Sequence, residues 1–234
     1  LAVAANPEVL LRHGIATALV LALAATLAWA ARYPRVLPVV RGAVSMGVPV
    51  SVDTSKAAVM QAVLDLGADI INDIWALRQS GASAVVAGHP RCGVCLMHMH
   101  REPQTMQQTP MAGDMVAQVL SFLEHHAQAL RALGVDLDRI VLDPGIGFGK
   151  TVEQNFTLLA HQPALLAAGY PILAGWSRKS SLGAVTGLDV EQRLVPSVAA
   201  AVLAVDRGAR VVRVHDVRET VAALRVWSAM QTAF

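Results

Sequence analysis

Polar and ionisable side chains recur at the ends of short apolar runs in this chain, and together they suit one kind of chemistry. Asp53, Asn72 and Asp143 each close an apolar run. Two carboxylates and a carboxamide in a half-apolar hollow match the edge of a flat heterocycle rich in N–H donors. A carboxylate accepts two parallel N–H bonds from an aminopyrimidine-like edge, and such charge-assisted pairs are shorter and stronger than neutral ones. Arg213 and His215 stand two residues apart on another run, so on a strand they share a face. That face is a cationic pocket suited to phosphate or pyrophosphate. Met97, His98, Phe148 and Lys179 complete the set of groups at these run ends. Ser180, at the start of a helix, adds backbone N–H groups for an anion.

Each of these residues also has a plainer reading. Asp53 reads equally as an N-cap for a helix opening near 55. Asn72 and Asp73 read as the end of a strand. Asp143-Pro144-Gly145 reads as a turn. Arg213 reads as the ion-pair partner of Asp216, His98 and His100 as solvated loop histidines, and His125 and His126 as exterior helix residues. Singly each suffices; six run ends that all carry such groups favour a shared site.

The elements that would position these groups follow a repeated grammar. The run Ile140-Val141-Leu142 stops at Asp143 and opens into Pro144-Gly145-Ile146-Gly147-Phe148-Gly149-Lys150. Val48–Val52 ends at Asp53-Thr54, Asp69–Ile71 at Asn72-Asp73, and Gly93–Met97 at His98-Met99-His100. Pro171–Gly175 leads to Ser177-Arg178-Lys179-Ser180, and Arg210–Val214 to His215-Asp216. Unbroken apolar runs that finish on polar groups read as parallel strands buried on both faces. The segments between them carry helical spacing, predicted near 55–66, 80–88, 113–133, 152–168, from Ser180, 191–207 and 217–230. The fold class is therefore α/β, a (β/α)8-type TIM barrel with about six of its eight strands recognisable, and its chemistry sits where the strands end.

Length and composition agree. The 234 residues fit one barrel domain, and 54% are hydrophobic while only 15% are charged. The net charge of +2 is spread along the chain, without a basic stripe, which argues against nucleic-acid binding. Cys92 and Cys95 form C-x-x-C, but Cys95 lies inside a strand pattern and no second pair completes a zinc site, so both read as buried thiols of a reducing, cytoplasmic setting. Only Lys56, Lys150 and Lys179 are lysines against sixteen arginines. That contrast marks Lys179, in a serine-rich motif, as chosen for its ammonium head.

Residues 1–34 do not share this grammar. Ile15–Ala31 is uncharged and rich in alanine and leucine. It reads as a signal-type segment, as a membrane helix shorter than the roughly 20 residues needed, or as a buried helix of the fold. The buried helix is the reading adopted, and membrane association is not expected. The expected organisation is an apolar N-terminal segment, 1–34, followed by one barrel domain, 35–234.

The stretches Pro49–Thr54, Ile71–Ile74, Cys95–Met99, Leu142–Lys150, Gly175–Ser180 and Arg213–Val217, in this order and spacing, resemble dihydropteroate synthase, the pterin-binding barrel of folate biosynthesis. The resemblance implies a transferase that joins 6-hydroxymethyl-7,8-dihydropterin diphosphate to p-aminobenzoate, releases pyrophosphate, uses Mg²⁺, is a sulfonamide target and is commonly a homodimer. It implies that Asp53, Asn72, Asp143 and Lys179 hold the pterin ring with Met97 packed near it. It implies that Phe148, Ser177 and Ser180 border the p-aminobenzoate site, and that Arg213 and His215 bind the departing diphosphate. The family's opening Asn-Val-Thr-Pro-Asp-Ser-Phe strand, whose Asn serves the metal, and its Gly-Gly-Glu-Ser-Thr-Arg-Pro-Gly strand end are not found in this sequence. The alternative reading is accordingly a pterin-binding relative impaired in catalysis, or a fragment, lacking the first two barrel strands.

Overall fold

The computed structural model describes residues 2–4, 19–21, 33–101 and 111–233. Its centre is one eight-stranded sheet in the spatial order β1-β8-β7-β6-β5-β4-β3-β2. The six strands expected from the sequence are present as β3 (Val50–Asp53), β4 (Ile70–Asp73), β5 (Gly93–Met97), β6 (Ile140–Asp143), β7 (Ile172–Ala174) and β8 (Ala209–Val214). Each pairs in parallel with the next in chain order. Parallel neighbours need a crossover connection, and each connection here carries helix. This is the singly wound order of a (β/α) barrel.

Two short strands come from the N-terminal segment. β1 (Ala2–Ala4) lies antiparallel against β8, and β2 (Leu19–Leu21) lies parallel to β3. The helix expected over Ile15–Ala31 is therefore corrected at Leu19–Leu21, which is strand; the rest of that run lies outside the described residues. An apolar run without periodicity does not separate a buried helix from a buried strand, and here the open edge of β3 decides in favour of strand.

The helices are α1 (Tyr33–Val44), α2 (Ala57–Asp65), α3 (Ala82–Gly88), α4 (Met115–Ala132), α5 (Val152–Ala160), α6 (Ser180–Thr186), α7 (Leu194–Asp206) and α8 (Val217–Gln231). α4 shows why they form where they do. Met115, Val119, Leu123, Ala127 and Leu130 recur every three or four residues and are all buried. Asp114 caps the helix by accepting from the Ala117 N–H at 3.1 Å. α5 opens on a capping box, Thr151 with Gln154. It ends at Ala160 rather than 168, because a separate turn with Pro163 in its first positions follows. Truncating Leu123, fully buried in the stripe of α4, would cost about 2–5 kcal/mol.

The strands are buried almost throughout. β7 is covered at all three residues, and β5 at four of five. β3, β5 and β8 pack against α1, α4 and α7, and the residues at the C-terminal tips turn polar. The fold thus spends its apolar surface along the staves and leaves Asp53, Asn72, Asp143 and Arg213 at one end.

Candidate functional site

Strand register brings the tips together. Asp53 pairs with Asn72 across β3 and β4, and Met97 pairs with Asp143 across β5 and β6. The Asn72 side-chain amide donates to Asp53 Oδ1. Asp143 Oδ1 accepts from the Gly145 N–H at 2.7 Å, while its Oδ2 faces Arg213 Nη2 at 3.4 Å. Asn72, Met97 and Asp143 are buried. Gly175 at the end of β7 leaves room for Arg213, because an added Cβ would stand 2.9 Å from Nη2.

Several polar atoms at these strand ends are buried without a hydrogen-bond partner among the described residues. They are Asn72 Oδ1, Asp143 Oδ2 and Arg213 Nη1, together with the indole N–H of Trp176. Buried polar groups are normally satisfied, so a group of orphans marks a place meant for something polar. Two acceptors and a guanidinium donor remain to be matched. Burial raises the Asp53 carboxyl above its usual range, and the nearby Arg213 pulls it back.

The loop after β6 is pressed onto the end of β5. Gly145 has φ +69°, and a Cβ there would meet the His98 carbonyl oxygen at 1.8 Å. Only glycine fits both constraints. Gly147, also at positive φ, gives its N–H to Asn155 Oδ1 at 2.8 Å, and an added Cβ there would stand 3.3 Å from the Lys179 stem. Lys179 Nζ then lies 4.4 Å from the centre of the Phe148 ring, a cation–π contact. Burial first, and Arg213 second, push the Lys179 ammonium down to about 8, with Asp143 opposing them.

Lys179 is aimed by the residue before it. Arg178 holds a left-handed backbone at φ +58°. Its N–H donates to Ser197 Oγ at 2.9 Å, and its carbonyl accepts from Arg193 at 3.2 Å. Its guanidinium grips Asp216 at 2.6 and 3.2 Å. A strained residue clamped at its backbone N–H, its carbonyl and its guanidinium is a common feature of functional loops.

Ser177 is buried and lies 2.8 Å from His215 Nδ1, while the His215 N–H donates back to the same hydroxyl at 3.1 Å. His215 itself is exposed. Burial, then Arg178, hold the His215 pKa below its ordinary value. Ser180 is the exposed first residue of α6. The structure therefore seats Ser177 against His215, and Phe148 against Lys179.

Several plainer readings change. Asp53 does not cap α2; Lys56 occupies the cap position, without a side-chain bond. Arg213 meets Asp143, and it is Arg178 that pairs with Asp216. His98 is buried rather than solvated, edge-on to Phe122 at 4.9 Å. His126, on α4, bonds the Phe122 carbonyl at 2.8 Å. Cys92 and Cys95 are buried free thiols, and burial raises both. The sequence reading assigned no role to Lys150 or Asn155. Both are buried and tie the glycine loop down, and their only signal was a polar residue beside that motif.

Among the described residues, no group of three or more His, Cys, Asp or Glu side chains stands close enough together to hold a metal ion. A magnesium site built wholly from these residues does not fit.

A singly wound barrel with carboxylate, carboxamide and arginine tips around one hollow is the architecture of pterin-binding enzymes. The model for the pterin binding enzyme family matches residues 24–215, and the chain belongs to that family. Within it the relatives are dihydropteroate synthases. That of Neisseria meningitidis serogroup C is 46% identical over 201 residues, covering 85% of this chain and 71% of its own length. The crystal structure of the Burkholderia cenocepacia dihydropteroate synthase, complexed with 7,8-dihydropteroate, superposes with a TM-score of 0.85 at 46% identity. It covers 97% of this chain and 85% of that one. The Xanthomonas albilineans dihydropteroate synthase with 4-aminobenzoic acid gives 0.84 at 42% identity, with 97% and 83% covered.

Proposed function

We propose that this chain is a dihydropteroate synthase-type transferase of folate biosynthesis. It condenses 6-hydroxymethyl-7,8-dihydropterin diphosphate with p-aminobenzoate and releases pyrophosphate. One observation carries the reading: unmatched acceptors on Asn72 and Asp143 lie beside an unmatched donor on Arg213. The acceptors suit the N–H edge of a pterin, and the guanidinium suits an anion attached to it.

The chemistry follows from that adjacency. The bond between the pterin methylene and the diphosphate oxygen breaks, and its electron pair leaves with pyrophosphate. Arg213 and His215 stabilise the negative charge that develops there, the main catalytic task in such a step. The aryl amine of p-aminobenzoate forms the new C–N bond at the methylene and gives up a proton. Asp53, Asn72 and Asp143 orient the ring, with Met97 packed near it. Lys179 sits between the pterin acceptors and Phe148, so it contacts both substrates in this proposal. Ser177 and Ser180 border the aminobenzoate in the same assignment.

Magnesium is part of the proposal only as a companion of the diphosphate. Mg²⁺ commonly uses substrate phosphate oxygens with few protein ligands, and when bound it neutralises charge on the leaving group. A homodimer is also proposed. Val195 and Val226 are 74% and 73% exposed on the neighbouring helices α7 and α8, and apolar surface of this kind favours a covered face. Sulfonamides that mimic p-aminobenzoate are proposed to compete for its site. The cytoplasm is the proposed compartment, which the two unpaired cysteines support. No helix among the described residues is long and apolar enough to cross a membrane.

A second reading has its own observation. β1 runs antiparallel to β8, whereas all eight strands of a (β/α)8 barrel are parallel. That departure favours a pterin-binding relative without turnover. The two readings separate in one assay. Purified chain is mixed with pterin diphosphate, p-aminobenzoate and Mg²⁺, and pyrophosphate release is followed. Release with dihydropteroate formation supports the transferase; saturable pterin binding without release supports the second reading.

A further inference from the structure

Lys150 is buried, at 5% exposure, in a chain with only three lysines. The proposed chemistry does not use it. Its ammonium meets three acceptors: the Gly145 carbonyl at 3.0 Å, the Phe148 carbonyl at 3.2 Å and His98 Nδ1 at 2.9 Å. A lysine head has three hydrogens and no lone pair. All three are spent, two of them on carbonyls of the glycine loop and one on a buried histidine from the neighbouring strand end.

The Gly145 carbonyl also accepts from the Phe148 N–H at 3.1 Å. Lys150 thus closes the turn that begins at Gly145 and ends at Phe148, and bolts it to β5 through His98. The opposite side of that turn carries the Phe148 ring against Lys179. Moving the Phe148 carbonyl moves the ring, while Asp53 and Asn72 stand on other strands and have no bond to this loop. Asp143 keeps its own contact to Gly145 through its carboxylate.

We propose that Lys150 is a positioning residue: with His98 as its acceptor, it fixes the glycine loop so that the Phe148 ring presents the aminobenzoate side of the site. The assignment of that side rests on the transferase reading above; the bolt itself does not. His98 must then be the tautomer with Nδ1 bare and the proton on Nε2. The loop is an instance of a first contact held in place by buried supporting bonds, where a displacement of about 1 Å can cost two orders of magnitude in rate.

Two measurements test it. The first needs no substitution. Nitrogen-15 NMR of the histidine rings in the full chain, at about pH 6 where the Lys150 ammonium is present because its pKa is about 7, reports the His98 tautomer. A proton on Nε2 is expected; a proton on Nδ1 overturns the proposal. The second uses Lys150→Met. The upfield ring-current shift of the Lys179 ε-protons over Phe148 is expected to disappear. Affinity for p-aminobenzoate, titrated into pterin-loaded protein, is expected to fall about tenfold or more, with pterin affinity changed less than about threefold. An unchanged Lys179 shift, or pterin and p-aminobenzoate affinities falling together, overturns it. If wild-type chain binds no pterin, the transferase reading fails, and the tautomer and the Lys179 shift still decide for or against the bolt.

Discussion

Arg213 Nη2 stands 3.4 Å from Asp143 Oδ2, and the two side chains are 11% and 1% exposed. The contact is a single loose ion pair rather than a bidentate clamp, so each partner keeps an unmatched atom. It joins the tip of β6 to the tip of β8. A ligand that carries an N–H edge and a diphosphate would engage both ends of one pair.

Removing the cation should therefore be costly even without ligand. Arg213→Met leaves the buried Asp143 without its ion-pair partner and the half-buried Asp53 without the cation that lowers it. A loss of about 3–5 kcal/mol in urea unfolding is expected for breaking a buried pair. Arg213→Lys should recover part of that stability but not affinity for a diphosphate, because an ammonium does not present a planar fork. Equal diphosphate affinity in Arg213→Lys would show that the guanidinium is structural only.

The pH dependence of binding should follow Lys179. Its folded value, about 8, lies below that of a free lysine. Between about 8 and 10.4 the unfolded chain holds the extra proton, so this residue's contribution to stability rises with pH in that window. Ligand binding runs the other way. If the ammonium contacts the pterin, affinity is full below about 8 and declines as pH rises through it. Titrations from about pH 6.5 to 9.5 should show this decline in wild type and a flat profile in Lys179→Met. The same decline in the variant would assign it to another group.

Two glycines at positive φ should respond differently to alanine. Gly145→Ala places a Cβ on the His98 carbonyl, whereas Gly169→Ala at φ +78° meets nothing within 4 Å. The second should cost only about 1 kcal/mol of backbone strain. The first should cost several times that, about 3 kcal/mol or more, because a backbone atom cannot step aside. Denaturant midpoints of the two variants check the ranking. Equal midpoints would mean that the loop yields easily.

The strand tips were legible in the sequence because parallel strands are apolar along their whole length and turn polar only where they stop. Asp53, Asn72 and Asp143 declared themselves in that way. What was hidden depended on contacts between distant residues. His98 looked like a solvent residue until Lys150 and Phe122 appeared beside it. Arg213 and Asp216 are close in sequence, yet the pair that forms is Arg178 with Asp216, since Arg213 is turned toward Asp143. The apolar run at Ile15–Ala31 lacked any period, so nothing in it announced that Leu19–Leu21 would pair with Val50–Val52. Caps are read from residue type alone, which is why Asp53 rather than Lys56 reads as the cap of α2.

The central claim is that these tips surround one pterin-shaped ligand, and calorimetric titration of the folded full chain with a pterin tests it most directly. The account predicts saturable binding, and its loss in Asp143→Ala, shown to be folded by circular dichroism, since an acceptor worth about 1–3 kcal/mol or more is removed. Folded chain that binds no pterin, or an Asp143→Ala variant with unchanged affinity, would contradict it.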